Sequence, residues 1–293
     1  MRKRIEKKDL IQDFLSFGIK SGDVVLIRAG LGSVGKIVGG ADAFIDALLT
    51  VVGDEGTIVS LAFTSATFLR KAKIEDAFDS KKRSYAGALP NAMILREDSF
   101  RSKHPMCSYV AIGRQAQYIT EGHDENSPAY EPVRKIIELN GVNMLVGCVE
   151  SSPGFTTTHL AEYDLGLLNL SIFSRFSSVY YKNNAGEYSL FRRTDPGLCS
   201  NSFYKFYSLY VKEGILNTGY VGEAYSISAP AKDCYRIEKA ALKKNKKFNI
   251  CESKYCFTCN ADRWDRVLYI PAYIGRMICL KLKRKVNLFT RIE

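Results

Sequence analysis

Apolar positions in the first half of the chain alternate between continuous runs and helical spacings. Runs of apolar and β-branched residues predict strands at 23–29, 57–61, 109–112 and 143–149. Apolar residues three and four positions apart predict helices at 10–17, 41–52, 114–120 and 133–139. Strands that alternate with helices are typical of an α/β sheet. The pattern therefore predicts an α/β fold.

The pattern changes in the second half. Aromatic and β-branched residues at 171–191 surround Asn183-Asn184-Ala185-Gly186, which predicts a hairpin. Helical spacing returns at 203–212 and at the Lys-rich stretch 232–246. No repeat or low-complexity linker interrupts the chain. We predict one catalytic domain over residues 1–246 and a basic, cysteine-containing extension over residues 247–293.

Charge and composition restrict the class of protein. The 293 residues carry a formal net charge of +11, which favours anionic partners such as phosphorylated molecules, nucleic acid or a membrane surface. Residues 5–10 are too charged for a secretory signal, and no apolar run reaches membrane-spanning length. We therefore expect a cytoplasmic protein whose eight cysteines are reduced thiols.

A glycine-rich turn, GLGSVG at 30–35, follows the first predicted strand and has the spacing of a dinucleotide-binding loop. The context argues against that fold, because five residues separate the turn from its helix and Asp54 and Glu55 precede the next strand. Small residues there would still expose backbone N–H groups that can line a pyrophosphate or a pantetheine chain. A tight loop that needs positive φ angles explains the same glycines.

His159 is one of only three histidines and lies in TTTHLAE at 156–162. Its side chain titrates near neutral pH, so it can act as a general base. On a helix, Glu162 and Tyr163 would share its face and could orient it. The alternative is a helix start in which Thr157 or Thr158 is the N-cap and Glu162 completes a capping box.

Four motifs follow one another between residues 8 and 230. They are RAGLGSVGKIVGG at 28–40 with GDEGT at 53–57, RSKHPMCS at 101–108, Ser127-Pro128, and TTTHLAE at 156–162. In this order they resemble the aminoglycoside 3-N-acetyltransferase family, acyl-CoA-dependent enzymes distinct from the GNAT acetyltransferases. The resemblance implies a three-layer α/β arrangement with a mixed central sheet flanked by helices.

The resemblance also implies site residues. Acetyl-CoA, or another acyl-CoA, would lie along Leu31, Gly32, Ser33, Val34 and Gly35 and near Phe100, Arg101, His104 and Ser108, with Arg101 and His104 meeting phosphates. His159 would be the base beside the acceptor amine, oriented or assisted by Glu162 or Asp195. Thr158 or backbone N–H groups of the glycine turn would stabilise the oxyanion. No covalent intermediate and no metal are required.

The chain departs from the family pattern at Arg28, which replaces a histidine, and at Ala29, Gly30 and Gly32, which replace serines. The family's aminoglycoside enzymes hold a polycation in an acidic cleft, whereas this chain is basic. We therefore expect an anionic acceptor, a nucleotide-linked or lipid-linked amino sugar of polysaccharide or O-antigen biosynthesis. The alternatives are an aminoglycoside acetyltransferase that confers resistance and an inactive homologue that binds CoA or a surface. Nucleic acid is not an expected partner.

The extension contains two further features. Cys251, Cys256 and Cys259 have a C-x4-C-x2-C spacing that suits zinc or an iron–sulfur cluster, with Cys279 or Cys234 as a fourth ligand. Reduced thiols without metal are the preferred interpretation. Residues 264–285 combine apolar and basic side chains that could contact an anionic membrane. A helix packed on the domain, or a dimer contact, explains them more simply, and the sequence leaves the oligomeric state open.

Overall fold

The computed structural model describes residues 3–68, 70–168, 177–195 and 199–253, together with 256, 259, 274–276, 278, 279 and 282. The strands are β1 (Arg4–Ile5), β2 (Val24–Ala29), β3 (Lys36–Ile37), β4 (Thr57–Leu61), β5 (Thr67–Phe68), β6 (Ser99–Arg101), β7 (Tyr109–Gly113), β8 (Val142–Val146), β9 (Ser177–Lys182), β10 (Tyr188–Arg192), β11 (Asn217–Val221) and β12 (Ala224–Pro230). The α-helices are α1 (Lys7–Ser16), α2 (Leu31–Val34), α3 (Gly40–Val52), α4 (Ala88–Leu95), α5 (Ala116–Thr120), α6 (Glu131–Glu138), α7 (Thr157–Asp164), α8 (Tyr207–Lys212) and α9 (Ala231–Lys244). Short 3₁₀ helices lie at Ile74–Asp76 and Ser200–Phe206.

A seven-stranded mixed sheet forms the centre of the fold, in the order β11-β12-β8-β2-β4-β7-β6. The three middle strands, β8, β2 and β4, are parallel. Antiparallel strands extend the sheet at both edges. The carboxyl ends of β2 and β8 therefore lie side by side, which is where an open α/β sheet forms its crevice.

Helices cover both faces of this sheet. In β2, Val25 and Ile27 pack into a core with α1 and α3, whereas Val24 and Leu26 pack into a second core with α6. A strand buried on both faces has no polar alternation, which explains the continuous apolar run in its sequence. A third core joins α7, α8 and α9. The α/β class, the mixed sheet and the flanking helices are as predicted.

Other elements differ from the prediction. The hairpin at Asn183–Gly186 is confirmed, with Tyr188 opposite Lys182, but β9 also pairs with β5 to make a separate three-stranded sheet. Strands β11 and β12 had no clear sequence signal. The glycine turn contains a one-turn helix, α2, instead of an open loop. Residues 171–176 of the predicted hairpin segment lie outside the described residues.

In the part of the chain that the structure describes, no helix is both long enough and apolar enough to cross a bilayer. Most of the basic segment 264–285 lies outside that part. Its contact with a membrane remains a prediction.

Candidate active site

The histidine of the fourth motif lies on α7 and is paired with a carboxylate one turn further along. Nδ1 of His159 lies 2.7 Å from Oε2 of Glu162. Glu162 is fully buried, and its other oxygen, Oε1, accepts a hydrogen bond from the side-chain amide of Asn249. A buried carboxylate beside Nδ1 favours the tautomer that carries its proton there. Nε2 is then the nitrogen left to accept a proton.

The capping-box alternative is wrong. The N-cap of α7 is Thr156, and its side chain makes no capping hydrogen bond. The hydroxyls of Thr157 and Thr158 donate instead to Oε1 of Glu238, each at 2.9 Å. The carboxylate of Glu162 is turned to His159 and Asn249.

Two aromatic rings fix the plane of the histidine. Tyr130 stacks on His159 with ring centroids 4.8 Å apart, and Phe203 meets it edge-on at the same distance. These contacts and the bond to Glu162 leave the imidazole little freedom. A base held in one orientation needs little reorganisation when it accepts a proton.

His159 lines a cleft of about 500 Å³ at the carboxyl ends of β2 and β8. Its walls comprise Arg28, Ala29, Gly30, Leu61, Phe63, Tyr85, Ala86, Gly87, Cys148, Ser152, Gly154, Phe155, Thr156, Ser200 and Phe203. None of these lining residues is acidic. The described lining residues therefore offer a base, a cation and apolar walls, but no carboxylate to hold a polycation.

Arg28 is that cation, at the position where the family pattern has histidine. Its guanidinium donates to Oγ of Ser152 at 2.9 Å, to the carbonyl of Ser152 at 3.0 Å and to the carbonyl of Gly154. Burial lowers its pKa. Arg28 therefore fastens the segment that follows β8 and leads to α7.

In the second motif, the side chains of Arg101 and Ser108 form hydrogen bonds within the protein and do not form an open anion site. The five N–H groups of Arg101 are all directed to protein acceptors: the hydroxyls of Ser108 and Thr64 and the carbonyls of Ala62, Ser80 and Lys82. Ser108 is fully buried and donates to the carbonyl of Ala62 at 2.7 Å. The structure thus places neither side chain where a CoA phosphate could reach it without breaking these contacts. Phe100, the neighbour of Arg101, is exposed.

His104 also makes its hydrogen bonds within the protein. It is fully buried, and its Nδ1 accepts hydrogen bonds from the backbone N–H groups of Met106 and Cys107. It stacks on His123 with ring centroids 4.9 Å apart. Burial lowers the pKa of His104 to about 2 and that of His123 to about 4. Both rings are neutral at physiological pH, so His104 cannot attract a phosphate as a cation.

Asp195 does not contact the base; it lines a second cleft, of about 910 Å³, together with Ser127 and Pro128 of the third motif. Its carboxylate accepts the backbone N–H of Ala129 at 2.7 Å and faces Arg193 at 3.4 Å. Arg193 in turn lies over the ring of Tyr130 and donates to its hydroxyl at 3.0 Å. The described contacts of Asp195 therefore reach His159 indirectly, through Arg193 and through the Ala129–Tyr130 backbone to the ring of Tyr130. Glu162 is the residue that contacts the histidine.

Thr158 is buried, whereas part of the glycine turn is exposed to solvent. Thr158 is fully buried and donates to Glu238, so its hydroxyl does not reach the cleft; Thr156 lines the cleft instead. In the turn, Val34 packs in the core, whereas Gly32 and Ser33 are exposed. The predicted acyl-CoA path along residues 31–35 remains a prediction, with these two residues as its accessible part.

Sequence reasoning missed Asn249, Tyr130 and Phe203. Each contacts His159 or Glu162, and each comes from a different part of the chain. No motif marks them. Only the fold brings them to α7.

A histidine paired with a buried carboxylate lines a cleft at the carboxyl ends of β2 and β8. This arrangement defines a candidate acid–base enzyme. The family model of aminoglycoside 3-N-acetyltransferases matches residues 26–243. Since this is most of the chain, the protein belongs to the aminoglycoside 3-N-acetyltransferase family.

Individual relatives are more distant. Aminoglycoside N(3)-acetyltransferase III of a Salmonella species is 28% identical over 172 residues, which are 53% of this chain and 59% of the relative. The chain thus matches little more than half the length of that curated relative. Among solved structures, AAC-IIIb in a binary complex with CoASH matches with a TM-score of 0.67 and 23% identity, over 83% of this chain and 97% of that one. A mutant of AAC(3)-IVa in complex with gentamicin matches with a TM-score of 0.77 and 22% identity, over 91% and 99%. These two likenesses concern the fold.

Proposed function

We propose that this protein is an acyl-CoA-dependent N-acetyltransferase that modifies an amine of an amino sugar. The observation that carries the proposal is the bond between His159 and Glu162 at the wall of the cleft. Family membership and the activities named for the relatives support the same class of reaction. The complex of a family structure with CoASH supports acetyl-CoA as the co-substrate.

The pair suits direct transfer. The neutral amine attacks the thioester carbonyl, and Nε2 of His159 takes the proton that the amine must lose. Glu162 stabilises the imidazolium while the tetrahedral oxyanion exists. When the C–S bond breaks, the imidazolium returns the proton to the departing thiolate. The products are an acetamide and free CoA, and His159 is neutral again.

A covalent acyl-enzyme has weaker support. Cys148 lines the cleft, but burial raises the pKa of its thiol, and Sγ contacts the carbonyl of Arg28 at 3.5 Å. A thiol held in its protonated form is a poor nucleophile. We therefore assign no covalent step to Cys148.

Aminoglycosides are the acceptors that the comparisons support better than the nucleotide-linked or lipid-linked sugar expected from charge. One structural observation favours the second candidate, an anionic amino sugar. Arg28 is the cation of the cleft, and the described lining residues include no carboxylate. Its described contacts use three of its five N–H groups.

The test is release of thiol from acetyl-CoA with aminoglycosides and with nucleotide-linked amino sugars as acceptors, and mass spectrometry of the products. His159→Asn is the paired variant, because asparagine can still bond Glu162 but cannot act as a base. We expect acetylated product from the native protein and loss of turnover by roughly 10²-fold or more in the variant. Full turnover by His159→Asn would refute the mechanism, and acetylation of nucleotide sugars alone would select the second acceptor class.

A further inference from the structure

Four cysteine side chains converge next to the candidate active site. They are Cys199, Cys251, Cys256 and Cys259, and their Sγ atoms all lie within 4.8 Å of one another. Cys251 and Cys259 are buried, and no disulfide joins the four. The sequence had offered Cys234 or Cys279 as the fourth member. The structure instead makes Cys199 the fourth member. Cys234 lies on α9 and packs in the third core, and Cys279 is exposed.

The spacing of the sulfur atoms fits one tetrahedral ion. A Zn–S bond of about 2.3 Å places the corners of a tetrahedron roughly 3.8 Å apart, which is inside the 4.8 Å limit of this group. An iron–sulfur cluster inserts several atoms between its cysteines and separates them further than a single ion does. The arrangement therefore favours a mononuclear site with four thiolate ligands.

Neighbouring groups suit thiolates. The backbone N–H of Cys251 donates to Sγ of Cys259 at 3.3 Å, and that of Asn201 donates to Sγ of Cys199 at 3.4 Å. Such N–H···S bonds stabilise negative charge on a ligand sulfur. The ammonium group of Lys205 lies 3.0 Å from the carbonyl of Ile250, the residue before Cys251.

We propose that Cys199, Cys251, Cys256 and Cys259 bind one Zn²⁺ ion in a closed, structural site. Binding replaces the four S–H protons, which leave to solvent, with four Zn–S bonds. Because all four positions are filled by protein, the ion offers no open position for substrate. It is distinct from the histidine cleft, and the transfer mechanism does not use it.

The ion would fasten two segments that complete the surroundings of His159. Cys199 directly precedes the 3₁₀ helix that carries Phe203, whose ring meets His159. Cys251 follows Asn249, whose amide holds Glu162. The same two segments are also joined by Ser202, which donates to the carbonyl of Asn249. The cysteine site thus joins the two segments that carry Phe203 and Asn249.

The first test is the metal content of the full chain, purified under reducing conditions without added metal or chelator, by inductively coupled plasma mass spectrometry. We expect one zinc per chain in the native protein, loss of zinc and a lower Tm in Cys256→Ser, and no change in Cys279→Ser, the control cysteine outside the group. Both readouts are independent of acetyl transfer, so they can fail or succeed whatever the acceptor is.

A second measurement covers the case in which Cys256→Ser does not fold. Native protein is stripped with a chelator under reducing conditions, titrated with ZnCl₂ and alkylated, and the labelled cysteines are identified by mass spectrometry. We expect zinc to protect these four thiols from alkylation and to leave Cys279 reactive. Native protein that contains no zinc and shows no protection would overturn the proposal, and so would iron in place of zinc or disulfides among the four.

Discussion

The side-chain amide of Asn249 donates to Oε1 of Glu162, although 87 positions separate the two residues. The opposite oxygen of the same carboxylate holds Nδ1 of His159. Glu162 therefore cannot rotate without losing one of two hydrogen bonds. The candidate base is oriented by a carboxylate that is itself oriented by the segment after α9.

Replacement of this carboxylate by an amide should impair the base without removing it. In Glu162→Gln, the NH₂ group must face either Nδ1 of His159 or the amide of Asn249, and both are donors in the native arrangement. A donor placed against Nδ1 would shift the proton to Nε2, the nitrogen that must accept one. We expect kcat for thiol release to fall roughly 10²–10⁴-fold, with little change in KM for acetyl-CoA. An unchanged kcat in a folded variant would show that Glu162 does not orient His159.

Removal of the side-chain amide of Asn249 should also lower kcat, but by less than Glu162→Gln does. Asn249→Ala removes one hydrogen bond to an ionised group, a contribution of about 1.5–3 kcal/mol, so we expect kcat to fall roughly tenfold or more. Asn245→Ala is the matched control, because Asn245 is exposed and its described side-chain contact is with the backbone N–H of Lys247, not with Glu162 or His159. Steady-state kinetics of both variants checks this. Equal kcat values would place Asn249 outside the catalytic arrangement.

The main elements were predictable because their signals are local. The continuous apolar run of β2 and the spacing of α3 follow from burial by neighbouring layers, so each could be located from its own residues. The pairing of His159 with Glu162 was predictable for the same reason, since three positions on a helix always share a face.

The contacts that join distant segments were not predictable. Asn249 and Cys199 carry no local signal, and their partners are fixed only when the sheet and α7 to α9 are assembled. Arg101 shows the opposite error. Its motif resembled a phosphate site, yet in the fold three nearby carbonyls and two hydroxyls use all five of its N–H groups.

Arg101 should therefore determine stability and not affinity for acyl-CoA. Arg101→Met leaves the carbonyls of Ala62, Ser80 and Lys82 without this donor, and we expect the free energy of unfolding to fall by about 2–4 kcal/mol. Arg114→Met is the control, because Arg114 is exposed and its carboxylate partner is 3.8 Å away; it should change stability by about 0.5 kcal/mol or less. Urea unfolding measures both. A raised KM for acetyl-CoA with unchanged stability would restore the phosphate role.

Glu238 should make stability depend on pH in a direction unusual for a carboxylate. It is fully buried, and burial raises its pKa to about 7 although Tyr210, Thr158 and Thr157 donate to it. The folded state therefore holds a proton that the unfolded chain has lost above pH 4.5, so this group's contribution to stability falls as pH rises from about 4.5 to about 7. The variant Glu238→Gln tests this, because glutamine cannot ionise but can still accept these hydrogen bonds.

Relative to the native protein, the free energy of unfolding of Glu238→Gln should be similar at pH 5 and higher at pH 8, by roughly 3 kcal/mol at most. Urea unfolding at both pH values checks this, with Glu187→Gln in the exposed hairpin turn as the control. A constant difference between variant and native protein at the two pH values would mean that Glu238 is ionised in the folded state throughout.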